Sequence, residues 1–306
     1  MRTIDLGGVG FTVPTIAVGC MRINRDEKTD AVRFVEAAMN LGANFFDHAD
    51  IYGGGACEEI FAKAIGSLNI ARDKYFIQSK CGIRPKTAFD FSKEHILSSV
   101  DGSLKRLKTD YLDVLLLHRP DALVEPEEVA EAFGILQQTG KVRYFGVSNQ
   151  NPMQIQLLKR YVKQPIVANQ LQLSITNCTM ISQGIHNNMQ DDFALQRDGS
   201  VLDFCRLNDI TVQPWSPFQS GFFKGVFLDN PDFPDLNKRL GEIAAKYSVS
   251  TTTIALAWLL RHPAKMQPVT GTMKVERLKE CVKAAEITLT RDEWYSIFLA
   301  AGNVLP

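Results

Sequence analysis

Apolar runs of three to five residues alternate with amphipathic stretches along most of this chain, and a segment of another kind comes first. Thr3–Leu6 and Phe11–Val13 flank Gly7–Gly10, with Pro14 directly after, which predicts a short β-hairpin. Eight runs follow: Ile16–Val18, Asn44–Asp47, Phe76–Lys80, Asp113–Leu117, Arg143–Val147, Val167–Gln170, Thr211–Trp215 and Gln267–Thr270. Most lack polar alternation. Val114, Leu115, Leu116 and Leu117 are consecutive, as expected for parallel strands buried on both faces.

The stretches between the runs carry helix signals. Asn151 before Pro152 reads as an N-cap with proline at the first helical position, and Pro126 before Glu127 and Glu128 reads similarly. Ile96, Val100, Leu104 and Leu107 share one face, and Gly42 stops a helix expected to begin near Thr29. Thr290 and Glu293 form a capping-box pair for a last helix beyond the last strand. Eight strands with helices between them, and no linker, repeat or low-complexity tract, predict an α/β fold. The expected form is a (β/α)8 TIM barrel filling residues 1–306 as one domain, with the N-terminal β-hairpin and an extra C-terminal helix. A doubly wound sheet shares much of the pattern, but eight strands without a break favour closure. Residues 174–199 are long for a βα loop and rich in Asn, Gln and Asp, which places them on the expected active-site rim.

Charge and composition narrow what such a barrel would bind. The 34 basic side chains balance 34 acidic ones and no basic stripe is visible, so neither nucleic acid nor an anionic membrane is an expected partner. The six cysteines (Cys20, Cys57, Cys81, Cys178, Cys205, Cys281) form no C-x-x-C pair and none has zinc-finger spacing to a histidine. Reduced thiols in a cytoplasmic protein are the expectation. MRTIDLGGVG has no apolar signal-peptide core, and no apolar run reaches membrane-spanning length. A soluble monomer is expected.

In a barrel of this kind the reacting groups gather at the C-terminal ends of the strands. Those ends supply Asp47 with Tyr52 just beyond, then Lys80, then His118. A tyrosine titrates at about 10 and gives up its proton reluctantly at neutral pH. An adjacent ammonium, here Lys80, lowers that value by roughly 1–3 units, with Asp47 holding the lysine charged. His118 can donate a hydrogen bond to a carbonyl oxygen. Taken singly, each residue has a plainer role: an ion pair for Asp47 and Lys80, a packed ring for Tyr52, a strand cap for His118. The combination is what points to acid catalysis.

The wording around these residues adds a family. FFDHADIYGGGACEEIFAKAI, IQSKCG, YLDVLLLHRPD, GKVRYFGVSN, VANQLQLS, QPWSPFQSG and GTMKVERLKECVKA resemble, in order, the aldo-keto reductase superfamily over essentially the whole chain. The wording is most similar to bacterial reductases of uncertain physiological substrate. By that resemblance Asp47, Tyr52, Lys80 and His118 match the catalytic tetrad, and the activity implied is reversible reduction of a small-molecule aldehyde or ketone with NADPH. Trp215 stands where the family stacks the nicotinamide, usually on tyrosine. Ser148, Asn149 and Gln170 match the carboxamide contacts, and Ser216, Pro217, Gln219, Ser220 and Gly221 match the segment over the pyrophosphate. Gly271, Thr272, Arg277 and Glu280 fall at the adenosine contacts, where Arg277 suits a 2′-phosphate. Gly271 replaces a common lysine, Thr272 a common serine and Cys281 a common asparagine, which leaves NADH possible as cofactor.

Two other classes fit parts of the chain. A nucleotide-binding regulatory module would bind the cofactor without useful turnover. A metal-dependent hydrolase would use Asp47, His48, Asp50 and His118, although strand alternation turns His48 away from Asp47 and Lys80 would sit beside the cation. The substrate pocket is expected to draw on Cys20–Arg22, residues 82–91, residues 174–199 and the loop after Trp215, with Met21, Phe89, Phe91 and Phe218 as apolar lining. The short tail at 302–306 is expected to leave that pocket open.

Overall fold

In the computed structural model, residues 1–24, 30–222 and 224–306 are described. Strands β1 (Thr3–Asp5) and β2 (Thr12–Pro14) pair antiparallel with Ile4 opposite Val13, which is the hairpin read from the turn glycines. Leu6 and Val13 are fully buried, in one apolar cluster with Phe45, Val114, Val167 and Val269. Gly7 lies at φ 71°, and a Cβ there would come within 2.5 Å of the Val167 backbone, so only glycine lets the hairpin close this end of the barrel.

The remaining strands follow in chain order. They are β3 (Ala17–Gly19), β4 (Phe45–Asp47), β5 (Phe76–Cys81), the small antiparallel hairpin β6 (Ile83–Arg84) and β7 (Ala88–Phe89), and β8 (Leu112–Leu117). Then come β9 (Val142–Ser148), β10 (Ile166–Gln172), β11 (Thr211–Trp215) and β12 (Val269–Thr270). Apart from the two hairpins, they close a barrel in the order β3-β4-β5-β8-β9-β10-β11-β12. Every neighbouring pair within it is parallel. The sheet is therefore closed, not doubly wound. The last strand is shorter than its apolar run because Pro268 has no N–H to give the ladder. Gln267 instead donates its backbone N–H to Val212 and its side-chain amide to the Pro14 carbonyl, at 3.1 and 2.6 Å.

Eleven helices surround the barrel among the described residues: α1 (Ala31–Asn40), α2 (Ala56–Ser67), α3 (Lys93–Leu107), α4 (Pro126–Gln138), α5 (Pro152–Tyr161) and α6 (Thr179–Ile185), then α7 (Val201–Leu207), α8 (Pro234–Tyr247), α9 (Thr251–Arg261), α10 (Val275–Lys283) and α11 (Arg291–Ala300). The expected start of the first helix at Thr29 lies outside the described residues; α1 is capped by the Asp30 carboxylate and followed by Gly42 at φ 72°. Asn151 with Gln154 and Thr290 with Glu293 both close capping boxes, and Pro126 opens α4. Ile96, Val100, Leu104 and Leu107 all face the core. The six cysteines are all buried, and no single described helix is long and apolar enough to cross a membrane.

Helix α11 is fixed by two indoles. Trp294 stacks on Trp258 with ring centroids 4.6 Å apart, and each N–H donates to the other's backbone carbonyl at 3.0 Å. Trp258 is fully buried. Trp258→Ala is expected to lower the unfolding free energy in urea by about 3–5 kcal/mol. A loss below about 1 kcal/mol would contradict this account of how the last helix is held.

Candidate active site

Parallel register puts the ends of β4, β5 and β8 side by side. Asp47 lies next to Gln78 of β5, and Lys80 lies next to Leu116 of β8. Both charged side chains are shut off from water. The Lys80 ammonium uses all three of its donors: Asp47 Oδ2 at 2.8 Å, the His48 carbonyl at 2.8 Å and Tyr52 Oη at 3.0 Å. Asp47 Oδ1 accepts the amides of Gln78 and Gln170, at 2.6 and 3.0 Å. Tyr52 opens a short 3-10 turn ending at Gly55, where φ is 96° and a Cβ would come within 2.8 Å of Arg106 Cδ. That glycine lets the chain turn from Tyr52 into α2. The His118 ring meets the Tyr52 ring edge to face, 5.9 Å between centroids.

These groups open into a cavity of about 1060 Å³, which Asp47, Tyr52 and His118 line, with Lys80 behind Tyr52. Ser148, Asn149, Gln170, Trp215, Ser216, Pro217, Gln219, Gly271, Thr272 and Arg277 line the same cavity. Ser220, Gly221 and Glu280 do not. Ser220 turns back onto Gly225, and the Glu280 carbonyl accepts from Thr253. Tyr52 and His118 thus share one large cavity with Trp215 and Arg277.

Comparison with known proteins gives the same reading. The sequence model of the Aldo/keto reductase family matches residues 15–298. The chain belongs to the aldo/keto reductase family. It is 38% identical over 298 residues to the uncharacterized oxidoreductase YcsN of Bacillus subtilis, covering 92% of each chain. It is 35% identical to the oxidoreductase YdhF of Escherichia coli, covering 88% of this chain and 87% of the relative. Among solved structures, the thermostable aldo-keto reductase Tm1743, crystallised with the inhibitor epalrestat, superposes with a TM-score of 0.79 at 29% identity, over 98% of this chain and 100% of that one. The chain is an NAD(P)H-dependent oxidoreductase of this family.

The electrostatics of this aldo-keto reductase differ from the sequence expectation in one respect. Burial raises the Tyr52 phenol, the Lys80 ammonium pulls it back and Asp47 pushes it up again, leaving it above the ordinary tyrosine value. The ammonium therefore limits the rise instead of bringing the phenol below 10, because desolvation outweighs it. Burial also works against the charge on Lys80, yet the Asp47 carboxylate and Tyr52 hold it above the usual lysine value. His118 is driven well below its ordinary value by burial, then by Lys80 and Arg119, so it is neutral at pH 7 and can donate without carrying charge.

The amides on this part of the lining are oriented by their protein partners. Ser148 donates to the Gln170 carbonyl at 2.9 Å, and the Asn149 amide donates to Ser148 Oγ at 2.7 Å. Asn149 Oδ1 accepts the Trp215 indole N–H at 3.1 Å, which orients that ring. Gln170 spends its NH2 on Asp47 and Gln213, so its Oε1 is left without a protein partner among the described residues. Because a carboxylate only accepts, Asp47 fixes which end of the Gln170 amide faces the cavity. Gln219 also lines the cavity, with Oε1 buried and unpartnered.

The expected rim needs correction. No residue of 174–199 lines the cavity. Met180 and Ile181 pack into the core, Ser182 bonds Asn303, and the His186 ring lies between Asp191 and the Val304 carbonyl. This segment therefore clasps the C-terminal tail and supports the site through the Gln219 carbonyl, which accepts from Ser174 at 2.6 Å and Thr176 at 3.4 Å. Met21 and Phe218 line the cavity as expected, whereas Cys20 and Phe91 are in the core and Phe89 is exposed on β7. Ile83 lines it from the expected 82–91 loop, whereas Ile51 and Arg119 line it without having been singled out in the sequence. Arg119 follows His118 directly, and its position at a strand end was the signal that could have found it.

The metal reading finds no geometry. His48 packs on Phe61, 4.6 Å between ring centroids, and Asp50 is pushed up to about 7 by burial, then by Glu58. Among the described residues no group of three His, Cys, Asp or Glu side chains is placed to hold an ion. Burial, then Lys80, take the His48 imidazole down to about 3 from 6.5. A lowered folded value means that the unfolded chain binds the proton first, so this stabilisation is complete above about 6.5 and is lost as pH falls toward 3. Urea unfolding as a function of pH is expected to fall by on the order of 1 kcal/mol per pH unit in that window, and His48→Phe to flatten the fall. An acid limb identical in wild type and variant would contradict the assignment.

Proposed function

We propose that this chain is an NADPH-dependent carbonyl reductase that interconverts aldehydes or ketones and their alcohols, with Tyr52 as general acid. The observation that carries the reading is the Lys80 ammonium, bonded at once to Asp47, the His48 carbonyl and Tyr52 Oη. When bound, the cofactor supplies a hydride from C4 of its nicotinamide to the substrate's carbonyl carbon. Tyr52 gives its hydroxyl proton to the carbonyl oxygen as negative charge develops there, and the adjacent ammonium stabilises the phenolate left behind. A phenol that is neutral in the resting site is the right form for this step. Neutral His118 donates a hydrogen bond to the same oxygen.

Trp215, held by Asn149, offers the nicotinamide a flat face, and the free Gln170 Oε1 offers its carboxamide an acceptor. Arg277, exposed on α10 and lining the same cavity, is the group for a 2′-phosphate, with NADH the weaker alternative. We place this activity in a single-domain monomer in the cytoplasm; cysteines scattered along the chain without a C-x-x-C pair suit a reducing compartment.

Tyr52→Phe is expected to keep NADPH binding, read by quenching of tryptophan fluorescence, and to lose carbonyl reduction by roughly 10²–10⁴-fold. A phenylalanine variant with near-native turnover would overturn the assignment.

A further inference from the structure

Arg119 is the guanidinium whose surroundings the reductase reading does not explain. It is half-buried, follows His118 at the end of β8 and lines the same cavity as Tyr52 and His118. Its guanidinium carbon lies 5.6 Å from the Trp215 ring centroid and 5.9 Å from that of Phe222. Among the described residues it makes no hydrogen bond and no ion pair. Elsewhere, arginines withdrawn from water are paired: Arg72 meets Asp113 at 2.7 Å, and Arg106 meets Glu58 at 2.7 Å. At Arg119 two aromatic rings steady the group but offer no acceptor for its five N–H donors.

Two carboxylates line the cavity, Asp47 and Asp229, and among the described residues neither bonds Arg119. Asp47 shares the cavity but is committed to Lys80 and two glutamine amides. Beside Tyr52, the Lys80 charge is neutralised by Asp47, whereas among the described residues Arg119 has no ion-pair partner. Burial holds Arg119 below the usual arginine value, with Tyr52 acting in the opposite direction, so the group sits within electrical reach of the proposed proton donor. Phe222 beside it is apolar, as are Ile51 and Ile83 elsewhere on the lining. A planar cation kept partly out of water, with free donors and an apolar approach, fits a carboxylate or phosphate far better than a hydroxyl.

We propose that Arg119 anchors an anionic group of the substrate, so that the carbonyl compounds this site reduces are aldehydes or ketones bearing a carboxylate or phosphate a few bonds from the carbonyl. The inference rests on the reductase reading for its carbonyl chemistry. The step is the one above: hydride to carbon, the Tyr52 proton to oxygen, and an alcohol that keeps its anionic group. The anion and the reacting oxygen are held from adjacent residues, Arg119 and His118, which fixes the carbonyl's orientation.

Purified full-length protein with NADPH tests this with two pairs of substrates: 4-oxobutanoate against its methyl ester, and glycolaldehyde phosphate against glycolaldehyde. The wild type is expected to favour the anion in at least one pair by about tenfold or more in kcat/KM, and the favoured pair tells carboxylate from phosphate. In Arg119→Gln that ratio is expected to fall toward one, chiefly through KM, and Arg119→Lys to restore part of it. No preference for the anion in either pair, or a ratio that stands unchanged in Arg119→Gln, overturns the proposal. Butanoate binding, read by tryptophan fluorescence against butanamide, gives the same answer without turnover. Arg119-dependent butanoate binding with no carbonyl reduced would overturn the reductase reading alone, whereas equal binding of butanoate and butanamide, together with no Arg119-dependent binding of inorganic phosphate, would overturn the anion site.

Discussion

An ammonium and a carboxylate 2.8 Å apart, both withdrawn from water at the mouth of the barrel, set most of what surrounds them. Burying such a pair costs several kcal/mol per ion, and attraction repays it only when every remaining donor and lone pair is also satisfied. Here the three protons of Lys80 and both oxygens of Asp47 are used. That requirement reaches deep into the barrel. Gln78 and Gln170 on Asp47 are joined to Gln213, which donates to Gln267, which donates to the Pro14 carbonyl of the N-terminal hairpin. The glutamines of the barrel interior are thus a continuous polar column between the chemistry and the barrel floor, and the hairpin is its lower end.

The same pair determines the state of the proposed acid. Lys80 has one donor left after Asp47 and the His48 carbonyl, and it points at Tyr52. The phenol stays protonated in the resting site because burial outweighs the ammonium. His118, neutral beside two cations, can donate but cannot compete as an acid. Arg119 adds a charge that no described residue neutralises, which is the basis of the proposed anion site.

Much of this was legible in the sequence, and the limits have physical causes. Apolar runs without alternation marked the barrel strands, because parallel strands covered on both faces need nothing polar. Asn151, Thr290 and Pro126 marked helix starts, because orphan backbone groups at a helix end have few solutions. Asp47, Lys80 and His118 were findable as polar residues at strand ends, and Tyr52 as the tyrosine just past one. The direction of the Tyr52 shift was not, because it depends on burial, which no residue type announces. Residues 174–199 misled because their Asn, Gln and Asp content hides the buried Met180 and Ile181 that turn the segment toward the tail. Arg119 was visible as a charge, but its lack of a partner exists only in three dimensions.

The central claim is that the Lys80 ammonium, held by Asp47, is what keeps the Tyr52 phenol within reach of ionisation. NMR titration of ¹³Cζ-labelled tyrosine measures this directly, with the Tyr52 resonance assigned by its absence from Tyr52→Phe. The account predicts that Lys80→Met moves the Tyr52 titration upward by about 1–3 units relative to wild type. A Tyr52 titration that is unchanged or lower in Lys80→Met would contradict it.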